Sequence, residues 1–147
     1  MNNDYPLARA WLNRIPMLMK EIRRNEARIE NLRSACTSTT AQVSDMPRAS
    51  SPNNHQMEEL LARIMDLEND VATSKAEIER LRQEMLLHLN EWVEPEQAVL
   101  LTRRYADMLS WEDISDELNC TKRRVYQIHR DSLELLDERL NRIQITA

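Results

Sequence analysis

The chain has 147 residues, no glycine, no phenylalanine, 31% charged residues and a formal net charge of -5 at pH 7. That length holds one domain plus an extended element, or two small domains, and the composition points away from β-sandwiches and barrels toward an all-α fold. Nothing approaches the roughly 18 consecutive apolar residues of a membrane span, so no membrane association is expected. Two cysteines, Cys36 and Cys120, with no signal peptide in view lead to the expectation of a reducing, cytoplasmic setting and no disulfide framework.

Asp4 can cap a first helix, with Pro6 tolerated in its opening turn. Trp11, Ile15, Leu18, Ile22, Ile29 and Leu32 then recur at spacings of three and four, with Asn25 as a polar interruption, which is a heptad seam. Pro16 removes a backbone donor inside that seam and predicts a kink or short break near Asn13 to Pro16. Between Thr37 and Asn54 the pattern gives way to Ser, Thr, Pro, Asn and Ala, so residues 37–54 are expected to be a loop. It serves either as a flexible connection or as a partner-binding loop around Asp45 to Arg48.

A second seam runs through Met57, Leu60, Ile64, Leu67, Val71, Ser74, Ile78, Leu81, Met85, His88 and Trp92. Eleven positions in strict alternation predict one long helix. At 1.5 Å per residue it extends about 50 Å, matching the first. The pair is expected to fold back as a long antiparallel, coiled-coil-like hairpin over residues 4–92, with Asn25 and Ser74 as polar residues near mid-seam. Leu61, Met65, Leu86, Leu87 and Leu89 lie beside the seam and widen its apolar face, which suggests self-association as a homodimer or packing on the C-terminal part.

Pro95 ends the long helix and opens another, leading to Ala98, Leu101 and Tyr105. Ser110 is a plausible N-cap for a helix over Trp111 to Leu118, with Glu112 and Asp113 in its first turn. Asn119 is the turn residue, because asparagine tolerates the left-handed conformation better than most. Thr121 caps the next helix, whose inward residues are Val125 and Ile128. At about 100° per residue the opposite face is centred on Arg123, Gln127 and Arg130, with Tyr126 beside them and Lys122 and Arg124 on the flanks. Thr121 to Arg130 carries four Lys/Arg and no carboxylate, although the chain as a whole is acidic. The helix continues through Leu133, Leu136, Leu140 and Ile143, an apolar stripe to be covered by the hairpin or by a second copy.

Leu101, Arg104-Tyr105, Ser110-Trp111, Ile114, Leu118, Val125, Ile128 and His129-Arg130 fall in the order of the helix-turn-helix in region 4 of sigma-70-type factors. The chain resembles that motif. It also resembles a family of short prophage-encoded regulators of Gram-positive bacteria, likened to late transcriptional regulators, over most of its length, including Ser44 to Arg48 and Met65 to Glu68. It departs from the motif at Ser115, where Ala is usual, and at Asn119 and Met108, where Gly is common. The resemblance implies a C-terminal trihelical helix-turn-helix domain over 94–145 and a sequence-specific DNA-binding phage or prophage transcriptional regulator in the bacterial host cytoplasm.

With helix 122–136 in the major groove of double-stranded DNA, Arg123 and Gln127 have the bidentate groups suited to guanine and adenine edges, and Tyr126 suits a thymine methyl or a phosphate. Thr121, Lys122, Arg124 and Arg130 would hold phosphates and set register. The acidic residues Glu112, Asp113, Asp116 and Glu117 read as a solvated face, or as a contact for RNA polymerase or a sigma factor. Two alternatives belong to other classes: a DNA-packaging or structural oligomer of the small-terminase kind, and a polymerase-binding adaptor that does not touch DNA. His55, His88 and His129 have no metal-ligand spacing to Cys36 or Cys120, and no phosphate loop or nucleophile arrangement is present. Neither an enzyme nor a cofactor is expected.

Overall fold

The computed structural model describes residues 4–45 and 51–146, which form six helices and no strand. In chain order these are α1 (Pro6–Leu12), α2 (Arg14–Asp45), α3 (Ser51–Trp92), α4 (Pro95–Tyr105), α5 (Trp111–Leu118) and α6 (Lys122–Thr146). Among the described residues no helix is long and apolar enough to cross a membrane. The chain divides into two compact units, one made of Met1–Met17 with Ile78–Ala147 and the other of Leu18–Glu77.

In the first unit the break expected near Pro16 lies at Asn13, the single turn residue between α1 and α2. Pro16 falls in the first turn of α2, where its missing N–H has no intrahelical partner to lose. Asp4 does not cap α1. Tyr5 holds the N-cap position in the left-handed region (φ 58°, ψ 57°) without a side-chain cap bond, and the Asp4 carbonyl instead accepts from Arg9 Nε at 2.6 Å. An orphan donor of that first turn, the Ala8 N–H, is taken up by Asp137 Oδ1 of α6 at 2.9 Å. This bond fastens α1 to α6, and Ala8, Leu12, Leu133 and Leu136 are all buried.

The apolar stripe of α6 is buried as far as Leu136, and α1, α4 and α5 all pack on this helix. Leu140 is half-buried, while Ile143 and Ile145 are exposed. The end of α3 contributes Ile78, Leu81, Met85 and Leu89 to the same core, alongside Ala98, Leu100 and Leu101 of α4. At its edge the His88 ring stacks on Trp92 with centroids 4.4 Å apart, and Trp92 tilts against Trp11 at 5.7 Å. Arg14 lies over Trp11 at 4.9 Å and pairs with Glu84 at 3.3 Å.

In the second unit Ile22 and Ile29 of α2, and Ile64 and Val71 of α3, are buried at seven-residue intervals. Ser74 is buried and Asn25 half-buried, and an exposed ion pair joins Arg33 Nη2 to Glu68 Oε2 at 2.8 Å. Of the residues 37–54 expected to be a loop, 37–45 belong to α2 and 51–54 to α3, and 46–50 lie outside the described residues. Ser and Thr cost only a few tenths of a kcal/mol per residue in an established helix, roughly, against the cost of starting a new one. The Thr37 hydroxyl donates back to the Arg33 carbonyl at 3.1 Å, and Pro52 sits in the opening turn of α3, where proline is tolerated. The suggested partner-binding segment Asp45 to Arg48 lies, beyond Asp45, outside the described residues. Of the apolar residues flanking the second seam, Leu89 is buried, whereas Leu61, Met65, Leu86 and Leu87 are exposed.

Candidate nucleic-acid interface

The α5–α6 junction is built by capping chemistry. Ser110 Oγ accepts from the Asp113 N–H at 3.1 Å, and Glu112 and Asp113 occupy the first turn, where carboxylates complement the helix dipole. At the other end Asn119 is left-handed (φ 55°, ψ 45°). The Asn119 N–H donates to the Asp116 carbonyl at 3.3 Å, and the Cys120 N–H donates to the Ser115 carbonyl at 3.2 Å. These two bonds are the Schellman pair that closes a helix on a left-handed residue. The Ser115 hydroxyl adds a hydrogen bond to the Cys120 carbonyl, an anchor that alanine would not provide. Met108 is also left-handed (φ 59°), so both positions where the resembled motif favours glycine keep a glycine-like backbone with a side chain attached. An L-residue there costs about 1–2 kcal/mol, less for asparagine. Asn119→Ala is therefore expected to lower stability by about 1 kcal/mol, read as a lower urea midpoint, while Asn119→Gly should not.

Thr121 Oγ1 accepts from the Arg124 N–H at 3.1 Å and caps α6; its hydroxyl keeps a donor for another partner. Val125 and Ile128 are buried, as is Ile114 of α5. Thr121, Lys122, Arg123, Arg124, Tyr126, Gln127 and Arg130 are all exposed and share the first turns of one helix. None of these four cations takes part in an ion pair among the described residues; Arg124 Nη1 reaches Gln127 Oε1 only at 3.5 Å. By contrast Arg103 holds both Asp107 and Glu117 at 2.8 Å, and Asp107 also receives Arg82 at 2.6 Å. Burial would raise the Asp107 carboxyl, but the hydrogen bonds and charges of Arg103 and Arg82 outweigh it and hold it below the usual range. Glu117 is thereby engaged although exposed, and Glu112, Asp113 and Asp116 are exposed beside it on α5.

No family model matches the chain, and neither a curated protein nor a solved structure is significantly similar to it.

Behind the basic face lies an aromatic cluster whose parts the sequence presents as separate motif positions. Trp111 is edge-on to Tyr126 (5.4 Å, 72°) and to His129 (4.7 Å, 72°), and Arg104 stacks over its ring at 4.3 Å. Arg104 Nη1 also donates to the Leu109 carbonyl at 3.0 Å. Tyr105 and His129 share a hydrogen bond of 2.7 Å between Oη and Nε2. The spacings of Arg104-Tyr105, Trp111 and His129 were legible, but their convergence depends on how α4 and α5 cross α6. Tyr126 remains 49% exposed, so the contact orients its ring without withdrawing it from solvent.

His129 is a packed side chain. Burial, followed by the charges of Arg9 and Arg104, lowers its pKa to about 4 from 6.5. Unfolded chains take up this proton below about pH 6.5, whereas the folded ring stays neutral until about pH 4. Stability contributed by the neutral ring is present above pH 6.5 and lost as the pH falls toward 4. The shift corresponds to roughly 3 kcal/mol, which screening of the partly exposed ring reduces to about 2 kcal/mol. Urea melts at several pH values should therefore show the unchanged protein losing about 2 kcal/mol more than His129→Gln over that window. Parallel pH profiles for the two proteins would contradict it.

Proposed function

We propose that this chain is a sequence-specific DNA-binding transcriptional regulator of the phage or prophage type. In this reading α2 and α3 form a helical hairpin, and α4, α5 and α6 form a trihelical helix-turn-helix unit like region 4 of sigma-70-type factors. The observation that carries it is the outer face of α6, where four exposed cations without ion pairs among the described residues stand over buried Val125 and Ile128, behind a Schellman turn that closes α5. A chain with 25 acidic and 20 basic side chains has carboxylates to spare, and its other arginines near α5, notably Arg103, use them. A face left unneutralised in such surroundings suits a polyanion in one orientation. Arg123, Tyr126 and Gln127 then address base edges in the major groove, and Thr121, Lys122, Arg124 and Arg130 the phosphates. A homodimer would double the site length, and the acids of α5 offer a surface to RNA polymerase or a sigma factor.

Selection of bound duplexes from a random pool, followed by titration at several salt concentrations, tests the proposal. A defined site should emerge. Replacing Lys122, Arg124 or Arg130 singly with Gln should weaken binding to all duplexes alike and reduce the salt slope by about 0.9 each. Absence of salt-sensitive duplex binding together with co-purifying polymerase would identify a protein-only adaptor. A ring-shaped oligomer selective for packaging DNA would identify the small-terminase alternative.

A further inference from the structure

A second group of cations resembles the first in density and in lacking carboxylate partners. Lys20, Arg23, Arg24 and Arg28 fall within nine residues of α2, the same span that holds Lys122, Arg123, Arg124 and Arg130 on α6. All four are exposed. The buried residues Ile22 and Ile29 define the inner side of this stretch. At about 100° per residue Lys20, Arg24, Ala27 and Asn31 run down the opposite side, with Arg23 and Arg28 on its two margins. The nearby carboxylates Glu21, Glu26 and Glu30 lie toward the inner side of those margins. None of the four cations forms an ion pair among the described residues, whereas Arg33, five residues further on, binds Glu68 at 2.8 Å and Arg14 binds Glu84.

We infer that the Lys20–Arg28 face of α2 is a second phosphate-contacting surface for duplex DNA, one that adds affinity without reading sequence. The inference rests on the DNA-binding reading of α6. Three features favour a nucleic-acid backbone as the occupant. Four unneutralised cations in an acidic chain are complementary to a polyanion. The stretch rises about 12 Å from Lys20 to Arg28, which spans three to four phosphates at 3.4 Å per strand. Met17, one turn before Lys20, is exposed on this side of α2, but no large apolar residue is exposed from Leu18 to Ser38, and one methionine at the end of the stripe makes neither the apolar centre of a protein–protein interface nor the apolar wedge of a membrane-surface helix. The side chains available are point charges and forks suited to phosphate oxygens, with none of the amide groups on the central line of the stripe except Asn31.

The test uses the full chain and two duplexes, one carrying the selected site and one scrambled. With seven phosphates neutralised, three by Lys122, Arg124 and Arg130 and four by this face, affinity should fall about 10⁴-fold between 50 and 200 mM salt. In the combined variant Lys20→Gln, Arg23→Gln, Arg24→Gln, Arg28→Gln the fall should shrink to about 40-fold, with the ratio between the two duplexes unchanged. Arg23→Lys, Arg24→Lys, Arg28→Lys keeps the charge and should keep the steep salt dependence. Circular dichroism should show equal helicity, because glutamine and arginine have similar helix propensities. An unchanged salt slope in the glutamine variant, as for a face turned to an acidic protein or to solvent, overturns the inference and leaves the α6 reading standing. Loss of site preference in that variant overturns it as well, because the face would then be reading sequence. Salt-sensitive binding that survives Lys122→Gln, Arg123→Gln, Arg124→Gln, Arg130→Gln but not the α2 substitutions overturns the α6 reading alone. No duplex binding by the unchanged chain overturns both.

Discussion

Replacing Arg123 and Gln127 together with Ala is expected to erase discrimination between the selected and the scrambled duplex while leaving most salt-dependent affinity in place. Both side chains are exposed on the outer face of α6, and neither belongs to an ion pair, so their removal leaves the core and the α5–α6 turn untouched. A bidentate contact to a base edge contributes about 1–3 kcal/mol of discrimination, so two such contacts account for roughly 2–6 kcal/mol, or about 30- to 10⁴-fold in preference. Neither side chain is assigned to a phosphate, so the salt slope should change much less than in the Lys122, Arg124 or Arg130 variants. Titration of both duplexes with the double variant measures the two effects separately. Preference retained at its original ratio would place the reading face elsewhere on the protein.

Leu136→Ala is expected to cost about 3 kcal/mol, within the 2–5 kcal/mol typical of a buried leucine, and Ile143→Ala less than about 0.5 kcal/mol. Leu136 is fully buried on the side of α6 that meets α1, and Ile143, two turns further on, is 41% exposed. The truncated leucine would leave a cavity next to Asp137, whose bond to the Ala8 N–H ties α6 to α1. Urea unfolding followed by helicity gives both numbers on one scale. Equal costs for the two substitutions would mean that the end of α6 is as buried in solution as its middle, as in a dimer formed through that stripe. The exposed Ile143 and Ile145 make this comparison informative about self-association as well as about the core.

The all-α fold, the break near Pro16, the span of α5 and the caps at Ser110 and Thr121 were legible because each depends on neighbours within a turn or two. The side-chain cap, the left-handed Asn119 and the burial of Ile114, Val125 and Ile128 all follow from short-range geometry and the helical period. Local chemistry misleads where it is weak. Thr37 to Asp45 reads as loop because Ser and Thr are indifferent helix formers, yet α2 continues through them once its preceding turns exist. Asp4 is a good cap in isolation, yet Tyr5 holds the position and the Ala8 N–H is satisfied by Asp137 across the fold.

The candidate interface divides in the same way. Arg123, Tyr126, Gln127 and the surrounding cations were assignable to one face from spacing alone, because a helix carries its own angular coordinates. Spacing did not indicate which charges would be neutralised. Arg103 and Glu117, fourteen residues apart, find each other when α4 meets α5, while Lys122, Arg123, Arg124 and Arg130 find no carboxylate among the described residues. Nor did it indicate that Trp111, Tyr105 and His129 converge behind Tyr126, or that α1 packs on α6. Periodicity and capping are properties of a few consecutive residues, and the sequence alone determines them. Pairing, burial and the charge left over depend on residues brought together across tens to more than a hundred positions, and only the packed chain decides them.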